Sequence, residues 1–221
     1  MTRPFRDTIH SDNLIHWTGW DIEKKYETDW NPERASINLP NNVVDAYIDR
    51  LKNILKFGFW MTTGDGPEEI KVNGNKFPKP KVARTCFTEL KLSENRKHAE
   101  KYGRLGIGVK RFYVFDRFGG PMHYLKSGTE NLFFPPYSSS ISTDPELISF
   151  YKHMCSDGQL KYDLFSESEW RIIFSENIKK KIQNDCSRRL SRFIDPKKTK
   201  DQELLEFYNI QKKKPDYLLP L

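Results

Sequence analysis

The stretch Ser166–Phe174, SESEWRIIF, decides how this chain is interpreted. Its second half is typical of a β-strand, and side chains along a strand point alternately to the two faces of a sheet. One face would carry apolar side chains suited to a core: Trp170, Ile172 and Phe174. The other would carry polar ones: Glu167, Glu169 and Arg171. Because carboxylates are uncommon in buried strands, two interpretations stay open. The polar face lines a cleft that does chemistry, or Glu169 forms an ordinary ion pair with Arg171 on a half-exposed strand.

The rest of the chain alternates predicted strands and helices without a repeat. Strands are predicted in Asn13–Trp20 and Val82–Leu92, on either side of a hairpin at Asn73-Gly74. A strand from Gly103 onwards is predicted to turn at Gly119-Gly120-Pro121 into another strand, and short helices are predicted before Tyr102 and after Asp144. The clearest helix runs from Asn42 to Gly58, and its predicted core face is Val44, Tyr47, Ile48, Leu51, Ile54 and Leu55. This mixture predicts the α+β class.

Composition favours a folded core and a polyanionic partner. The chain has 221 residues, of which 14% are aromatic, and this content argues against disorder. The formal net charge of +7 is typical of proteins that bind nucleic acid, although a solvated basic surface explains it equally well. We predict one α+β domain over residues 1–178 and a basic, partly helical tail over residues 179–221.

The spacing of the cysteines and the length of the apolar runs indicate whether the chain binds a metal and in which cellular compartment it is expected. Cys86, Cys155 and Cys186 stand far apart, without zinc-binding spacing, so no metal site is predicted. Scattered thiols fit a reducing compartment. With no signal-like apolar segment and no long apolar run, the chain is expected to be cytoplasmic and to have no membrane partner.

Several polar residues within apolar strands are candidates for a binding site. His16 lies in the strand LIHW, where it is either a core residue or a functional one. Thr85 and Thr88 in TCFT could shape the floor of a ligand site, or they are simply β-branched strand formers. His98 and Tyr102 share one face of a helix. The glycines that follow do not form a dinucleotide fingerprint, because they lead from a helix into a strand.

Taken in order, five segments resemble the AbiGi-type abortive-infection family, a bacterial group associated with phage resistance. They are LIHWTG, LKNILKFGF, TCFTELKLSENRKHAEKYGRLGIGVKR, GGPMHY and ESEWRIIF. The resemblance covers residues 14–174 and leaves out the basic tail. Members have been described as antitoxins of a two-gene system, which implies a toxin or antitoxin partner protein but no particular chemistry.

The same order of elements is similar to the ADP-ribosyltransferases, particularly to toxins that modify nucleic acid. An early strand with His, a strand with Thr and a late strand opening with Glu-x-Glu carry this likeness. It implies an α+β fold of two small, mostly antiparallel sheets with flanking helices, and NAD as the cofactor.

The likeness to ADP-ribosyltransferases also implies roles for individual residues. Glu169 would grip the nicotinamide ribose, and Glu167 would prepare the acceptor. His16 would hold a ribose, and Tyr102 would stack on nicotinamide, although its helical setting departs from the usual pattern. The remaining cofactor-binding residues would be Thr18, then Thr85 and Thr88, whose hydroxyls would organise the site, and Arg84 and Arg171, either of which suits the pyrophosphate.

The expected function is therefore anti-phage defence by a toxin that transfers ADP-ribose from NAD to a macromolecule, with nucleic acid favoured. The alternative is a non-catalytic antitoxin or regulator that uses its basic surface to bind DNA or a toxin. A third option, a nucleic-acid-binding module that senses phage, has no standard sequence motif to support it.

Overall fold

The computed structural model describes residues 13–25, 41–63, 69–72, 75–78, 80–89, 96–126, 145–154, 168–211 and 215–221. The strands are β1 (Asn13–Thr18), β2 (Phe59–Thr63), β3 (Glu69–Val72), β4 (Asn75–Pro78), β5 (Ala83–Thr88), β6 (Leu105–Lys110), β7 (Gly120–Pro121), β8 (His123–Lys126), β9 (Tyr151–Met154), β10 (Glu169–Phe174) and β11 (Tyr217–Leu219). The helices are α1 (Trp20–Lys25), α2 (Asn41–Phe57), α3 (Arg96–Tyr102), α4 (Arg111–Phe115), α5 (Glu176–Asp185) and α6 (Gln202–Gln211), with 3₁₀ helices at Pro145–Phe150 and Ser187–Arg192. Within these ranges, no helix combines the length and the apolar character needed to cross a membrane.

Seven strands form the main sheet, and the predicted α+β class is confirmed. The order β11-β2-β5-β1-β6 forms one path, while β10 pairs with β5 and β7 pairs with β10. All pairings within this sheet are antiparallel. The other described strands form two separate pairs, antiparallel β3–β4 and parallel β8–β9. The described strands therefore build one larger sheet with two small pairs.

Strand β5 is bordered by three strands, and this arrangement opens a gap in the sheet. One edge pairs along its whole length with β10, from Glu169 opposite Thr88 to Phe174 opposite Ala83. The other edge is shared, because β2 pairs with Ala83 and Arg84 while β1 pairs only with Thr88. Among the described strands, none pairs with residues 85–87 on this edge. β1 and β2 therefore diverge from β5 on either side of a gap.

The apolar face of β10 lies in the core, as predicted. Trp170, Ile172 and Phe174 belong to one buried cluster that also contains residues of β1, β2 and β5. Phe174 stacks on Phe193, with their ring centroids 4.0 Å apart. Burying side chains of this size stabilises a fold by about 1.5–3 kcal/mol each, so β10 is fixed by its apolar face.

Helix α2 has the predicted bounds but turns a different face to the protein. Its buried residues are Val43 and Ile54, whereas Val44, Ile48 and Leu55 are 37%, 44% and 61% exposed. The prediction of the core face was wrong for these three because the helix turns Arg50 towards the protein. Arg50 instead reaches back to β1 and α1, and its Nη1 donates to Thr18 Oγ1 over 3.1 Å.

Two segments adopt a different secondary structure from the one predicted. Arg111–Phe115 was predicted to continue a strand, but it forms the short helix α4. Pro145–Phe150 is a 3₁₀ helix, and Tyr151–Met154 pairs with β8 as a strand instead of extending that helix. A short apolar run does not by itself distinguish a strand from a buried helical turn. β3 and β4 pair on either side of the predicted hairpin turn at Asn73-Gly74, and these two residues lie outside the described ones.

The residues after 178 pack on the same sheet as those before it. The predicted domain boundary falls inside α5, and β11 pairs with β2. The carbonyl of Pro220 accepts hydrogen bonds from Tyr113 Oη at 3.0 Å and Arg117 Nη2 at 2.9 Å. The described part of 179–221 therefore contributes to the sheet and the core instead of standing apart as a tail.

Gly58 is the position where this packing is most sensitive to a side chain. Its φ of 92° suits glycine, and an added Cβ would lie 2.1 Å from the carbonyl oxygen of Leu219. We expect Gly58→Ala to lower the free energy of unfolding by about 2 kcal/mol or more, because strain and the clash add. Urea unfolding measures this. Gly108→Ala is the matched control, since its Cβ would meet nothing within 4 Å; equal effects of the two variants would contradict the packing described.

Candidate functional site

A cavity of about 420 Å³ opens where β1 and β2 diverge from β5. Its volume falls within the range of small-molecule sites. Seven of the nine predicted site residues line it: His16, Arg84, Thr85, Thr88, Tyr102, Glu169 and Arg171. The structure thus brings together residues from β1, β5, α3 and β10 that are far apart in the sequence.

Glu169 and Arg171 form a buried, doubly bonded ion pair in the wall of the cavity. Arg171 Nε donates to Glu169 Oε1 over 2.7 Å, and Arg171 Nη2 donates to Oε2 over 3.2 Å. The two residues are only 8% and 9% exposed. The third guanidinium nitrogen, Nη1, donates to the Ser149 carbonyl over 2.7 Å. Paired donors of this kind hold a carboxylate in one orientation.

The backbone around Glu169 is also held in place. Its amide donates to the hydroxyl of Tyr124 over 3.1 Å, and its carbonyl accepts from the amide of Met122 over 2.8 Å. Ser168, directly before it, has a φ of 39°, which non-glycine residues seldom adopt. This turn starts β10 and orients Glu169 towards the cavity-lining face. Glu167, the other predicted carboxylate, lies outside the described residues.

Cys86 is a cavity residue that sequence analysis did not select. It lies opposite Arg171 in the β5–β10 register, on the same face of the sheet. Burial, reinforced by the Glu169 carboxylate, raises the pKa of the Cys86 thiol from 9.0 to about 12. Because the thiolate is the reactive form of cysteine, this group is a poor nucleophile at neutral pH. Its position in TCFT was visible in the sequence, but its neighbours were not.

His16 occupies the gap between β1 and β5. Its Nδ1 lies 2.9 Å from the carbonyl oxygen of Cys86, and its ring meets that of Phe59 edge-on, with centroids 4.8 Å apart. A carbonyl only accepts, so Nδ1 carries the proton and Nε2 keeps its lone pair. The ring of His16 therefore packs against core residues and also lines the cavity, and its functional role stays a prediction.

The protonation of His16 leads to a prediction about stability and pH. Burial lowers the pKa of His16 below 6.5, the Cys86 carbonyl partly opposes this, and Arg50 lowers the pKa further. The unfolded chain therefore takes up this proton first as the pH falls. We expect the stability to be complete above pH 6.5 and to decline below it, with this group contributing at most about 1.4 kcal/mol per pH unit.

Urea unfolding of wild type and His16→Asn at several pH values tests this prediction. The variant should show a smaller loss of unfolding free energy between neutral and mildly acidic pH. His123→Asn is the control, because His123 is exposed and lies outside the cavity lining. Identical pH dependence in wild type and His16→Asn would contradict the role of the buried ring.

The two threonines and Arg84 occupy different positions on β5. Thr88 is buried directly opposite Glu169. Thr85 Oγ1 donates to the carbonyl of Trp60 over 2.9 Å, which ties β5 to β2 beside the gap. Arg84 is half-buried and lies opposite Thr62 of β2. Thr85 therefore acts in the framework, while Thr88 and Arg84 lie on the same face as Glu169.

Thr18 is the predicted residue that the structure separates from the others. It ends β1, is not among the residues that line the cavity, and accepts a hydrogen bond from Arg50. Arg50 also binds Asp21, with Nη2 2.6 Å from Oδ2. Thr18 thus helps to connect β1, α1 and α2.

Aromatic side chains form the rest of the wall. Tyr102 is 36% exposed and its ring centroid lies 5.9 Å from that of His98. Trp17 and Trp60, which sequence analysis did not select, also line the cavity. The Trp17 indole Nε1 is buried and has no hydrogen-bond partner among the described residues. A buried donor of this kind suits a polar group of a ligand.

The described residues contain no group of three or more His, Cys, Asp or Glu side chains that could hold a metal ion. Comparisons of the chain with protein-family models, with curated proteins and with solved structures find no match.

Proposed function

We propose that this cavity binds NAD and that the protein transfers ADP-ribose from NAD to a macromolecule, with nucleic acid the favoured acceptor, as a toxin in abortive defence against phage. The observation that carries the proposal is the convergence of His16, Thr88, Tyr102 and Glu169 on one cavity at the gap between β1 and β5. We infer that this antiparallel sheet, with its gap beside β5, belongs to an ADP-ribosyltransferase-like fold.

The chemistry of the lining residues fits NAD. Arg84 and Arg171 outnumber the single carboxylate of Glu169 in the lining, which favours an anionic group such as a pyrophosphate. The rings of Tyr102 and Trp60 are suited to contact with planar bases. Glu169 offers a carboxylate to ribose hydroxyls, and its negative charge is the feature that distinguishes this wall from a simple nucleotide pocket.

Bound NAD would supply the ADP-ribose group and nicotinamide as the leaving group. Glu169 would stabilise the positive charge that develops on the ribose, because Arg171 keeps its carboxylate fixed in a largely buried site. A preorganised group of this type contributes about 100- to 1,000-fold in rate. Thr88, opposite Glu169, would complete the floor of the ribose site.

Glu167 would act on the acceptor. It precedes Glu169 by two residues in the sequence, and a carboxylate in this position could take the proton that the acceptor loses. General-base contributions are about 100- to 10,000-fold. Glu167 and Glu169 would then have different roles, because Glu169 is held by its ion pair with Arg171.

The test uses the purified protein, labelled NAD, and cellular RNA, DNA and protein as separate acceptors. We expect NAD to bind and label to appear in one acceptor class, with nucleic acid favoured. If NAD does not bind and no acceptor is labelled, the transferase proposal fails. If an acceptor is labelled, a partner protein encoded beside the gene is tested next for its ability to suppress labelling and toxicity.

The alternative function is a non-catalytic antitoxin or regulator. The ion pair of Glu169 with Arg171 favours this alternative, because it occupies both carboxylate oxygens as a purely structural pair would. It predicts that expression alone is harmless and that the protein suppresses the toxicity of a neighbouring gene. Growth arrest that Glu169→Gln relieves, with the fold intact, would argue against it.

A further inference from the structure

Helix α4 presents two aromatic rings to solvent. Phe112 is 74% exposed and Phe115 is 50% exposed. They are three residues apart, so their side chains lie on one face of the helix. Val114, on another face, is fully buried in the core cluster. The core thus fixes α4, and adjacent exposed rings of this size mark an interaction site more often than single exposed residues do.

Arginines from the 3₁₀ helix Ser187–Arg192 extend this face. Asp116 keeps helical backbone angles after α4, and its amide donates to the Phe112 carbonyl over 2.9 Å. Asp116 and Phe112 are therefore neighbours one turn apart. The Oδ1 atom of Asp116 lies 2.6 Å from Arg192 Nη1 and 3.8 Å from Arg189 Nε. We call Phe112, Phe115, Arg189 and Arg192 the aromatic–arginine surface.

Positive charge is in excess at the aromatic–arginine surface. Arg117 Nη1 also lies 4.0 Å from Asp116, so three guanidinium groups share one carboxylate. The Asp116 side chain is only 12% exposed, whereas Arg189 and Arg192 keep 38% and 34% of theirs exposed. The sequence around these arginines, residues 179–200, has nine Lys and Arg against two Asp. An anionic partner is therefore favoured.

We propose that the aromatic–arginine surface binds single-stranded nucleic acid, with bases stacked on Phe112 and Phe115 and phosphates in contact with Arg189 and Arg192. Alternation of aromatic rings with basic groups is the arrangement by which proteins hold single strands without sequence preference. The proposal goes beyond the transferase, because binding here needs neither NAD nor Glu169.

Unpaired bases fit this surface better than a duplex does. In a double helix the base faces are stacked on one another, so exposed phenyl rings gain little beyond the phosphate contacts. RNA and DNA single strands offer the same stacking faces and the same phosphates. α4 packs on the core side of β10, whereas Glu169 and Arg171 line the cavity from the other side. The surface and the cavity are therefore separate sites.

Fluorescence anisotropy with labelled oligothymidine, oligouridine and a duplex of equal length tests the proposal. At least one single strand should bind more tightly than the duplex. Phe112→Ala and Phe115→Ala should each weaken single-strand binding by about 5- to 150-fold. Arg189→Gln should reduce the slope of log affinity against log salt by about 0.7. Glu169→Gln should bind the strands as wild type does.

Leu55→Ala is the matched control for the phenylalanine variants, because Leu55 is 61% exposed on α2. Lys52→Gln, on the same helix, is the control for the arginine variant. The proposal would be overturned if both phenylalanine variants kept the wild-type affinity or if the duplex bound as tightly as the single strands. Binding only to anionic lipid vesicles would also overturn it. If single-strand binding depends on Phe112 but the protein transfers no label from NAD, the nucleic-acid-binding proposal stands and the transferase proposal fails.

Discussion

Replacing Glu169 with glutamine should reduce ADP-ribose transfer by about 100- to 1,000-fold. Glutamine keeps the size and a hydrogen-bonding oxygen of the side chain, but it lacks the charge that would stabilise the developing positive charge on the ribose. Initial rates of label transfer measure the effect. NAD binding, measured by calorimetry, should change far less, because the charge acts mainly in the transition state.

Glu203→Gln is the control for this substitution. Glu203 is 67% exposed and its carboxylate lies 2.9 Å from Lys56 Nζ, so the variant removes a paired carboxylate that is not part of the cavity lining. It should transfer label at the wild-type rate. If Glu169→Gln is as active as Glu203→Gln, Glu169 has no part in the chemistry and the Glu169–Arg171 pair is structural.

Replacing Arg171 with methionine should lower the free energy of unfolding by about 3–5 kcal/mol. The substitution leaves the buried Glu169 carboxylate without its cation, and the Ser149 carbonyl loses a donor at 2.7 Å. Urea unfolding measures the loss. Arg50→Met is the matched control, because Arg50 also pairs with a carboxylate, that of Asp21, but both side chains are more exposed. A surface pair of this kind contributes about 0–1 kcal/mol.

The double variant Glu169→Gln/Arg171→Met separates the ion pair from other causes. Removing both charges takes away the uncompensated carboxylate, so the double variant should regain much of the stability that Arg171→Met loses. If the losses of the two single variants simply add, the two side chains are not coupled and the described geometry is contradicted.

The strand at residues 169–174 and the helix at residues 41–57 were predictable because their signals are local. Alternation of apolar and polar residues correctly assigned Trp170, Ile172 and Phe174 to the core. The core face of α2 was not predictable in the same way. Arg50 counts as polar in any periodicity, yet it turns inward to bind Thr18 and Asp21.

The candidate site could be predicted as a set of residue types but not as a geometry. The sequence leaves open whether Glu169 forms an ion pair or lines a cleft, and in the structure it does both. The cavity itself depends on which strands border β5 and where they diverge. That register is set by contacts between distant segments, so no local pattern reveals it, and Trp17, Trp60 and Cys86 were missed for this reason.

The gap beside β5 also has a consequence for how fast the protein folds. Its walls are joined by contacts across long stretches of chain, such as the bond from His16 to Cys86, 70 residues apart. The hydrogen bond that the Thr63 amide, at the end of β2, donates to the Asp216 carboxylate spans 153 residues. Folds dominated by such distant pairings close large loops before they gain stability, and they fold slowly. We therefore expect local helices to form first and the cavity to be among the last parts of the molecule to assemble.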